Sequence, residues 1–505
     1  MANTGILTSI ILYLGFVILI GIRLSKTNET VDDFYLGGRK LGPFVTAMSA
    51  EASDMSSYLL MGLPGLAYLT GLSDVGWTAI GLAIGTYLNW LFVARRLRRY
   101  TEKTQSITLP AFFSDRYHDK RNILLLVAAL WIIVFFVPYT ASGFAACGKL
   151  FSSLFGMDYH VAMIVSAIII ILYTTLGGFL AASFTDLIQS IIMTIALIAI
   201  MLFGISSAGG IGAVIDNARS LAGYFSLTSI HDPVTGTSSP YTFLTIISTL
   251  AWGLGYFGMP HILLRFMAIE SDEKIALSRR IASVWVVISM SIAIFIGIIG
   301  NALSASGSIA TLTGNNSETI IVALSSLLAS RGFLFALLAG VVLAGILAST
   351  MSTADSQLLA ASSSVSNDIL RRFFKAKVDE SNMLKISRIS LLIIAVIGIF
   401  LAWNPDSSVF GIVSFAWAGF GASFGPVVLL ALYWKRSNKY GALAGMLTGG
   451  IMIFVFKFLV RPLGGIFNIY ELLPAFLLAL VANVAVSLLT GEPQQAILDE
   501  FDSID

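Results

Sequence analysis

The chain has 505 residues, of which 57% are hydrophobic and only 11% are charged, and its mean hydropathy is +0.87. Soluble globular proteins have about 25% charged and about 45–50% apolar residues. The composition therefore excludes a soluble enzyme, a disordered chain and a nucleic-acid-binding protein. The net charge of +2 indicates no polyanionic partner, and the single cysteine, Cys147, excludes a disulfide framework or a cysteine metal cluster.

Apolar runs long enough to cross a bilayer dominate the sequence. A transmembrane helix needs about 20 mainly apolar residues. The segment 317–330 is shorter, and we expect it to be a helix on the surface. The thirteen runs that meet the length requirement lie near 5–24, 43–70, 75–97, 123–147, 159–180, 184–206, 242–267, 281–303, 333–363, 384–403, 408–434, 440–460 and 467–490.

The distribution of positive charge predicts the orientation in the membrane. Arg23 and Lys26 follow the first run, whereas no basic residue precedes it, so this run is a retained helix and not a signal peptide. Cytoplasmic loops carry an excess of Lys and Arg. We therefore expect the N-terminus outside and, after thirteen spans, the C-terminus inside. Most of the 30 Lys and Arg residues, Arg265 among them, then fall in inner loops. The outer side or outer helix ends hold Lys149, Arg219, Arg331, Lys457 and Arg461.

Two of the runs contain features that favour a broken helix. The second has a polar island at 49–57 followed by Gly62-Leu-Pro-Gly65, and the seventh has three glycines between Trp252 and Pro260. Interrupted helices in matching positions are typical of secondary transporters built from inverted repeats. The second broken run lies five runs after the first. Because five is odd, the two broken runs cross the membrane in opposite directions. Runs two to six and seven to eleven are therefore predicted to form two inverted halves.

The ninth run supplies hydroxyl groups at helical spacing. Ser349, Ser352, Thr353 and Ser356 recur at intervals of three and four residues, so they lie on neighbouring helical faces. Hydroxyls together with the carbonyls of an unwound helix are suitable ligands for sodium. The alternative is that these hydroxyls only bond back to their own helix or pack helices together.

Four carboxylates lie within or at the edges of the apolar runs. Ionisable residues at membrane depth are costly and usually functional. The alternative, a water-exposed helix end, is weaker for Glu51 and Asp54 than for the others. The four are Glu51, Asp54, Asp186 and Asp355. We expect Asp186 and Asp355 to share one cation site near the inner end of the transport path. The alternatives are that one of the two holds a proton, or that Asp355 faces only a water-filled vestibule.

The sequence contains several longer motifs, which are Leu36-Gly-Gly-Arg39, Leu41-Gly-Pro43, Ala52-Ser-Asp-Met55, Leu60 to Gly65, Trp252 to Gly258 with Pro260-His261, Met351-Ser-Thr353, Ala416 to Gly421 and Phe424 to Val428. These motifs resemble those of the sodium/solute symporter family, and most closely its bacterial sodium/proline members. The resemblance covers nearly the whole chain. It implies a five-plus-five inverted-repeat fold like that of the neurotransmitter–sodium symporters, with one helix before the core and two after it. The sequence departs from the family at Glu51, Ser57, Tyr58 and Asp355.

The resemblance also implies site residues. The common sodium site would use main-chain oxygens of Ala52, Met55 and Ser349 and the hydroxyls of Ser352 and Thr353, with Asp54 needed for sodium coupling. A possible second cation site maps to Asp186, Ser352, Asp355 and Ser356. The substrate pocket maps to Ser56, Tyr139, Trp252, Tyr256 and Pro260.

Together these features predict an all-α membrane protein of the plasma membrane, a sodium-coupled importer of a small zwitterion, L-proline. We expect sodium, the solute and the bilayer as its partners, with no obligatory protein partner. The open alternatives are a sodium symporter of another amino acid, a monocarboxylate or pantothenate, an ion channel, or a transporter-like sensor. An enzyme is not expected, since no nucleophile–base pair is visible. The predicted units are 1–40, the repeats 41–208 and 242–434, the outer loop 209–241, two accessory helices at 435–490 and an acidic tail at 491–505.

Overall fold

The computed structural model describes residues 2–24 and 30–504, so Lys26, assigned to the inner side, lies outside the described residues. A short antiparallel hairpin pairs β1 (Ser229–His231) with β2 (Ser238–Pro240). The helices are α1 (Ala2–Leu24), α2 (Val31–Leu36), α3 (Pro43–Ser57), α4 (Leu63–Thr70), α5 (Leu72–Leu88), α6 (Ala94–Thr104), α7 (Leu109–Arg116), α8 (Ile123–Phe155), α9 (Tyr159–Ser207), α10 (Ile211–Ser220), α11 (Phe243–Leu250), α12 (Pro260–Ala268), α13 (Ile275–Ala305), α14 (Ile320–Ala329), α15 (Phe333–Ser363), α16 (Glu380–Leu401), α17 (Val409–Tyr433), α18 (Lys439–Val455), α19 (Leu472–Leu489) and α20 (Gln495–Asp502).

Ten helices in the described part of the chain are long and apolar enough to cross a membrane, or eleven if one bent pair counts as a span. The runs predicted at 159–180 and 184–206 both lie in α9, where two helical segments meet at a kink at Gly178, which adopts φ 66° and ψ −168°. A single residue in that conformation turns the chain without a loop, so the second segment follows the first directly.

Both predicted helix breaks are present. In the first, Ser56 adopts φ 48° and ψ −167° near the end of α3, and a π-helical turn at Tyr58–Gly62 leads into α4. In the second, α11 passes into a 3-10 helix at Ala251–Gly258, and the chain then bends by 46° into α12. The glycines of this segment permit close packing. A Cβ atom on Gly255 would lie 2.0 Å from Nε1 of Trp417.

The helix α15 occupies the centre of the fold, where it packs against α1, α3, α8 and α9. Its residues are almost all buried from 339 to 363, whereas Ile389, Ile393 and Phe400 of α16 are exposed on an apolar outer face. The hydroxyl groups of a helix that is buried on all sides face the neighbouring helices. The central position of α15 therefore places Ser349–Ser352 beside the broken helix α3.

Candidate functional site

Oxygen atoms from α3 and α15 meet at the first helix break. Ser352 Oγ donates to the main-chain oxygen of Ala52 at 2.8 Å and lies 3.2 Å from that of Ser349. Thr353 Oγ1 lies 3.1 Å from the same Ser349 oxygen. The last carbonyls of a helix have no partner in that helix, so the break after Ala52 makes its oxygen available to α15. All four residues are buried.

This arrangement brings together four of the five residues predicted for the common sodium site. The fifth, Met55, lies one turn further along α3, and its main-chain oxygen accepts the N–H of Tyr58. Carbonyl and hydroxyl oxygens are the ligands that unwound helices offer to sodium in transporters. The chemistry of the donor set therefore fits sodium.

Two of the predicted substrate residues, Tyr139 and Trp252, line a small cavity that Asp54 and Met55 of α3 also line. The cavity measures about 10 Å³, no more than the space of one water molecule, so its walls close on one another. Its lining residues are Asp54, Met55, Tyr58, Leu82, Tyr139, Trp252, Val413 and Trp417.

Asp54 connects the cavity to the aromatic residues of the second break. Tyr256 donates its hydroxyl to Asp54 Oδ2 at 2.5 Å, and Tyr139 Oη lies 3.4 Å from the main-chain oxygen of Asp54. The ring of Tyr256 meets Trp417 edge-on, with centroids 5.0 Å apart. The residue expected to couple sodium is thus held by two residues expected to bind the solute.

Three predicted substrate residues, Ser56, Tyr256 and Pro260, are absent from the cavity lining. Ser56 Oγ accepts the N–H of Tyr58 at 3.1 Å, and Pro260 opens α12. Sequence reasoning, in turn, missed Leu82, Val413 and Trp417 as lining residues. Trp417 could have been found, since it lies in the motif Ala416 to Gly421, whereas Leu82 and Val413 are indistinguishable from packing residues.

Three aromatic rings cover one side of the cavity. Tyr58 stacks on Trp252 with centroids 5.8 Å apart, and Phe410 lies 5.9 Å from Tyr58 and 5.8 Å from Trp252. The N–H of Phe410 donates to Glu318 at 3.1 Å, and Glu318 pairs with Lys149 at 2.9 Å. The start of α17 is thereby fixed over the pocket, and the site is closed on this side.

A buried arginine faces one of the two residues predicted for a second cation site. Asp186 Oδ2 accepts from Ser49 at 2.7 Å and from Arg265 at 3.1 Å, and the guanidinium of Arg265 also contacts Ser356. Arg265 was expected in an inner loop, but it is only 1% exposed. Sequence reasoning misplaced it because a count of positive charges does not detect burial.

The other residue of that predicted site, Asp355, lies on the far side of Ser356. It accepts a hydrogen bond from the hydroxyl of Tyr173, and Ser356 Oγ lies 3.1 Å from its Oδ1. Asp186 and Asp355 are both fully buried. One network of hydrogen bonds thus connects the two carboxylates, with Arg265 and Ser356 between them, and the shared cation stays a prediction.

Glu51, one of the departures from the family, lies away from the cavity lining. Its Oε1 accepts from the indole of Trp90 at 3.2 Å, and its Oε2 has no hydrogen-bond partner among the described residues. The Trp90 ring packs against Phe266 with centroids 4.4 Å apart. Glu51 therefore sits between α3, α12 and the end of α5, behind the residues that line the pocket.

Two solved structures share this fold. A Na⁺-coupled sialic acid symporter in a substrate-bound outward-open state is 19% identical, with a TM-score of 0.79 over 97% of this chain and 99% of that one. Mhp1, a nucleobase-cation-symport-1 family transporter in a closed conformation, is 14% identical, with a TM-score of 0.59 over 93% and 98%. In this chain the two broken helices meet where Tyr256 donates to Asp54, on the helix that forms the oxygen cluster with α15.

Comparison of the sequence identifies the family. The model of the sodium:solute symporter family matches residues 34–449. The sodium/proline symporter of Escherichia coli is 40% identical over 100% of this chain and 97% of its own length. The high-affinity proline transporter PutP of Bacillus subtilis is 42% identical over 96% and 98%. The chain belongs to the sodium:solute symporter family. It is a multi-pass plasma-membrane transporter, not an enzyme, and sodium is its co-transported ion.

Proposed function

We propose that the protein imports L-proline together with sodium. The observation that carries the proposal is the direct bond between Tyr256 of the aromatic pocket and Asp54, on the helix that also offers the Ala52 oxygen. Relatives named sodium/proline symporters, about 40% identical over the full length, support the substrate.

Sodium would act by tying α3 to α15. The helix α3 contributes Ala52, and α15 contributes Ser349, Ser352 and Thr353. A bound ion would therefore fix the distance between the two helices. The position of Asp54, and with it Tyr256, follows from that of α3. Sodium would therefore assemble the pocket, and the solute would in turn stabilise the sodium-bound arrangement, as coupled binding requires.

The solute would lie against the aromatic side chains. Ligand pockets are mostly apolar with a few placed polar groups, and Trp252, Tyr139 and Trp417 supply apolar surface for a pyrrolidine ring. The Asp54 carboxylate and main-chain carbonyls could accept from the ammonium group. Closure of Phe410 and Tyr58 over Trp252 would exclude water during transport.

The proposed topology has thirteen transmembrane helices, with the N-terminus outside and the C-terminus inside. The segment Pro43–Thr70 and the bent pair α11–α12 each count as one broken span, and α9 counts as two spans that meet at Gly178. The repeats 41–208 and 242–434 would be related by inversion, since the breaks at Ser56 and Gly258 occupy the first span of each. The distribution of Lys and Arg supports the orientation.

A different solute is the second candidate, and one observation favours it. Ser57 and Tyr58 are two of the expected departures from the family, and Tyr58 lines the cavity and stacks on Trp252. A changed residue in the wall can change the solute that fits. Another amino acid, a monocarboxylate or pantothenate would then be the cargo, with the sodium site unaltered.

Uptake into proteoliposomes distinguishes these candidates. Radiolabelled L-proline is offered to vesicles with an inward sodium gradient, an inward choline gradient or no gradient, and unlabelled solutes compete. The proposal expects uptake above equilibrium only with the sodium gradient, and competition by proline before any other solute. Sodium-driven uptake of a competing solute, without uptake of proline, would show that proline is not the solute. The proposed coupling to sodium would still hold.

A further inference from the structure

A buried carboxylate that the transport site does not use lies where α15 continues into a π-helix, Ser364–Phe373. Turns of this kind are frequent at functional sites. The carboxylate belongs to Asp368, which is fully buried. Its Oδ1 accepts from the Thr108 hydroxyl at 2.7 Å and from the Asn367 amide at 3.1 Å. Its Oδ2 has no hydrogen-bond partner among the described residues. One oxygen of this carboxylate is therefore still available to a ligand.

No ion pair neutralises Asp368 in the part of the chain that the structure describes. The two arginines that follow it on the π-helix are engaged elsewhere. Arg371 pairs with Glu380, and Arg372 pairs with Asp115. Burial of an ionised carboxylate without a partner is costly, and ionisable residues inside a membrane protein commonly mark the path of an ion. Asp368 therefore calls for a cation.

A narrow slit connects this end of α15 with the transport site. Arg265 and Ser356 line the slit, and so does Thr108, whose hydroxyl bonds to Asp368. Ser356 Oγ in turn donates to the main-chain oxygen of Ser352 at 2.9 Å, and Ser352 belongs to the oxygen cluster at the first helix break. Hydroxyl groups therefore lead from the oxygen cluster along α15 towards Asp368.

We propose that Asp368 binds the sodium ion on its way out of the protein, after the ion has left the oxygen cluster. Carboxylate and hydroxyl oxygens, here those of Asp368 and Thr108, are the ligands that hard cations prefer. Arg265, paired with Asp186 at 3.1 Å, stands between the two positions. An ion that moves past this positive charge needs a negative group beyond it, and Asp368 supplies that group. The inference rests on the proposed function only for the direction in which sodium moves.

Two contacts hold α7 against the π-helix and cover Asp368. The Thr108 hydroxyl that donates to Asp368 also caps the start of α7, since its oxygen accepts the N–H of Ala111 at 3.1 Å. Further along α7, Asp115 pairs with Arg372 of the π-helix. An ion at Asp368 is therefore released when α7 moves away from the π-helix, which makes this contact the last barrier on the path.

Equilibrium binding of radioactive sodium to the purified full-length protein, without proline, tests the inference. Asp368→Asn keeps the shape of the side chain and removes its charge. Thr108→Ala and Asn367→Ala form a matched pair, because each removes one hydrogen bond to Oδ1 but only Thr108→Ala removes a ligand from the path. Asp119→Asn is the control for the loss of another buried carboxylate, which lies outside the slit. Thermal unfolding shows whether each variant is folded.

The parent should bind sodium in more than one step. Asp368→Asn should lose one step or weaken it at least about tenfold, because the charged partner of the ion is gone. Thr108→Ala should weaken the same step, whereas Asn367→Ala and Asp119→Asn should bind sodium like the parent.

Parental binding in both Asp368→Asn and Thr108→Ala would overturn the inference. An equal loss in Asn367→Ala or Asp119→Asn would also overturn it, in favour of a structural role for the carboxylate. If Asp368→Asn does not fold, the comparison of Thr108→Ala with Asn367→Ala decides. Proline takes no part in these measurements, so failure of the proposed function is seen separately.

Discussion

Tyr256 donates its hydroxyl to Asp54 at 2.5 Å, and this bond joins the second broken helix to the first. Tyr256 belongs to the predicted solute pocket, whereas Asp54 is the residue expected to couple sodium. A change at either residue is therefore transmitted to the other. We therefore expect loss of the Tyr256 hydroxyl to weaken binding of sodium as well as binding of the solute.

Tyr256→Phe should impair sodium dependence as well as solute affinity. The variant leaves the Asp54 carboxylate without its buried donor, and loss of a hydrogen bond to a charged group costs about 1.5–3 kcal/mol, or about tenfold or more in affinity. The measurement is the sodium concentration for half-maximal uptake. Tyr58→Phe is the control, since the Tyr58 hydroxyl has no partner among the described residues. A normal sodium requirement in Tyr256→Phe would show that the bond carries no coupling.

Ser352→Ala and Thr353→Ala should each raise the sodium concentration needed for uptake. Each substitution removes one hydroxyl oxygen from the cluster at Ala52 and Ser349. The protein should remain inserted in the membrane, because alanine is smaller than the residue that it replaces. Ser363→Ala on the same helix is the matched control, because its hydroxyl bonds only to the main-chain oxygen of Ala360 at 2.8 Å. The site is misplaced if both variants need no more sodium than the parent.

Arg265→Gln should destabilise the protein strongly. It leaves Asp186 buried without its cationic partner. Removal of one member of a buried ion pair costs about 3–5 kcal/mol in the free energy of unfolding. The double variant Arg265→Gln/Asp186→Asn removes both charges and should recover part of the loss in a thermal unfolding assay. Two additive losses would indicate that Asp186 is compensated by something other than Arg265, such as a bound cation.

Asp355→Ser tests the predicted second cation, since it introduces the residue that is common in the family. If Asp355 and Asp186 share a cation, the sodium Hill coefficient or the pH profile of uptake should change. Tyr173→Phe keeps the carboxylate and removes only a donor to it, so the coefficient should stay as in the parent. A parental coefficient and pH profile in Asp355→Ser would leave Asp355 with a structural role.

Gly255→Ala should abolish uptake and reduce stability. The new Cβ would lie 2.0 Å from the Trp417 indole nitrogen, and the Trp417 indole bonds to the main-chain oxygen of Trp252 at 2.8 Å. Gly15→Ala in α1 is the control, because no atom lies within 4 Å of its added Cβ. Uptake and unfolding temperature are measured for both, and tolerance of Gly255→Ala would mean that α17 can move away from the second break.

Local sequence patterns predicted the positions of the two helix breaks and of the hydroxyl groups on the central helix. The breaks at Ser56 and Gly258 follow from polar and glycine-rich sequence within apolar runs, and the hydroxyls at Ser352 and Thr353 follow from helical spacing. The described structure confirms both breaks, and the role of the two hydroxyls in a sodium site stays a prediction. Hydropathy also predicted the two helical segments of α9, but it did not show that they meet at the single residue Gly178 without a loop.

Local sequence patterns did not predict contacts between residues that are far apart in the chain. Arg265 was placed in an inner loop, but its partner Asp186 is 79 residues away on another helix, and no spacing rule connects them. Trp417 and Tyr58 were also missed as lining residues, since aromatic side chains in apolar helices usually serve packing. The residues that line the cavity come from the first helix break, α5, α8, the second helix break and α17, and only the folded chain brings these five parts together.

The most direct test of the account is the effect of sodium on solute binding by the purified protein. Binding of radiolabelled L-proline is measured in sodium chloride and in choline chloride, and sodium affinity is measured with and without proline. The account predicts that sodium raises the proline affinity at least about fivefold, and that proline raises the sodium affinity by the same factor. Equal proline affinity in the two salts would contradict it.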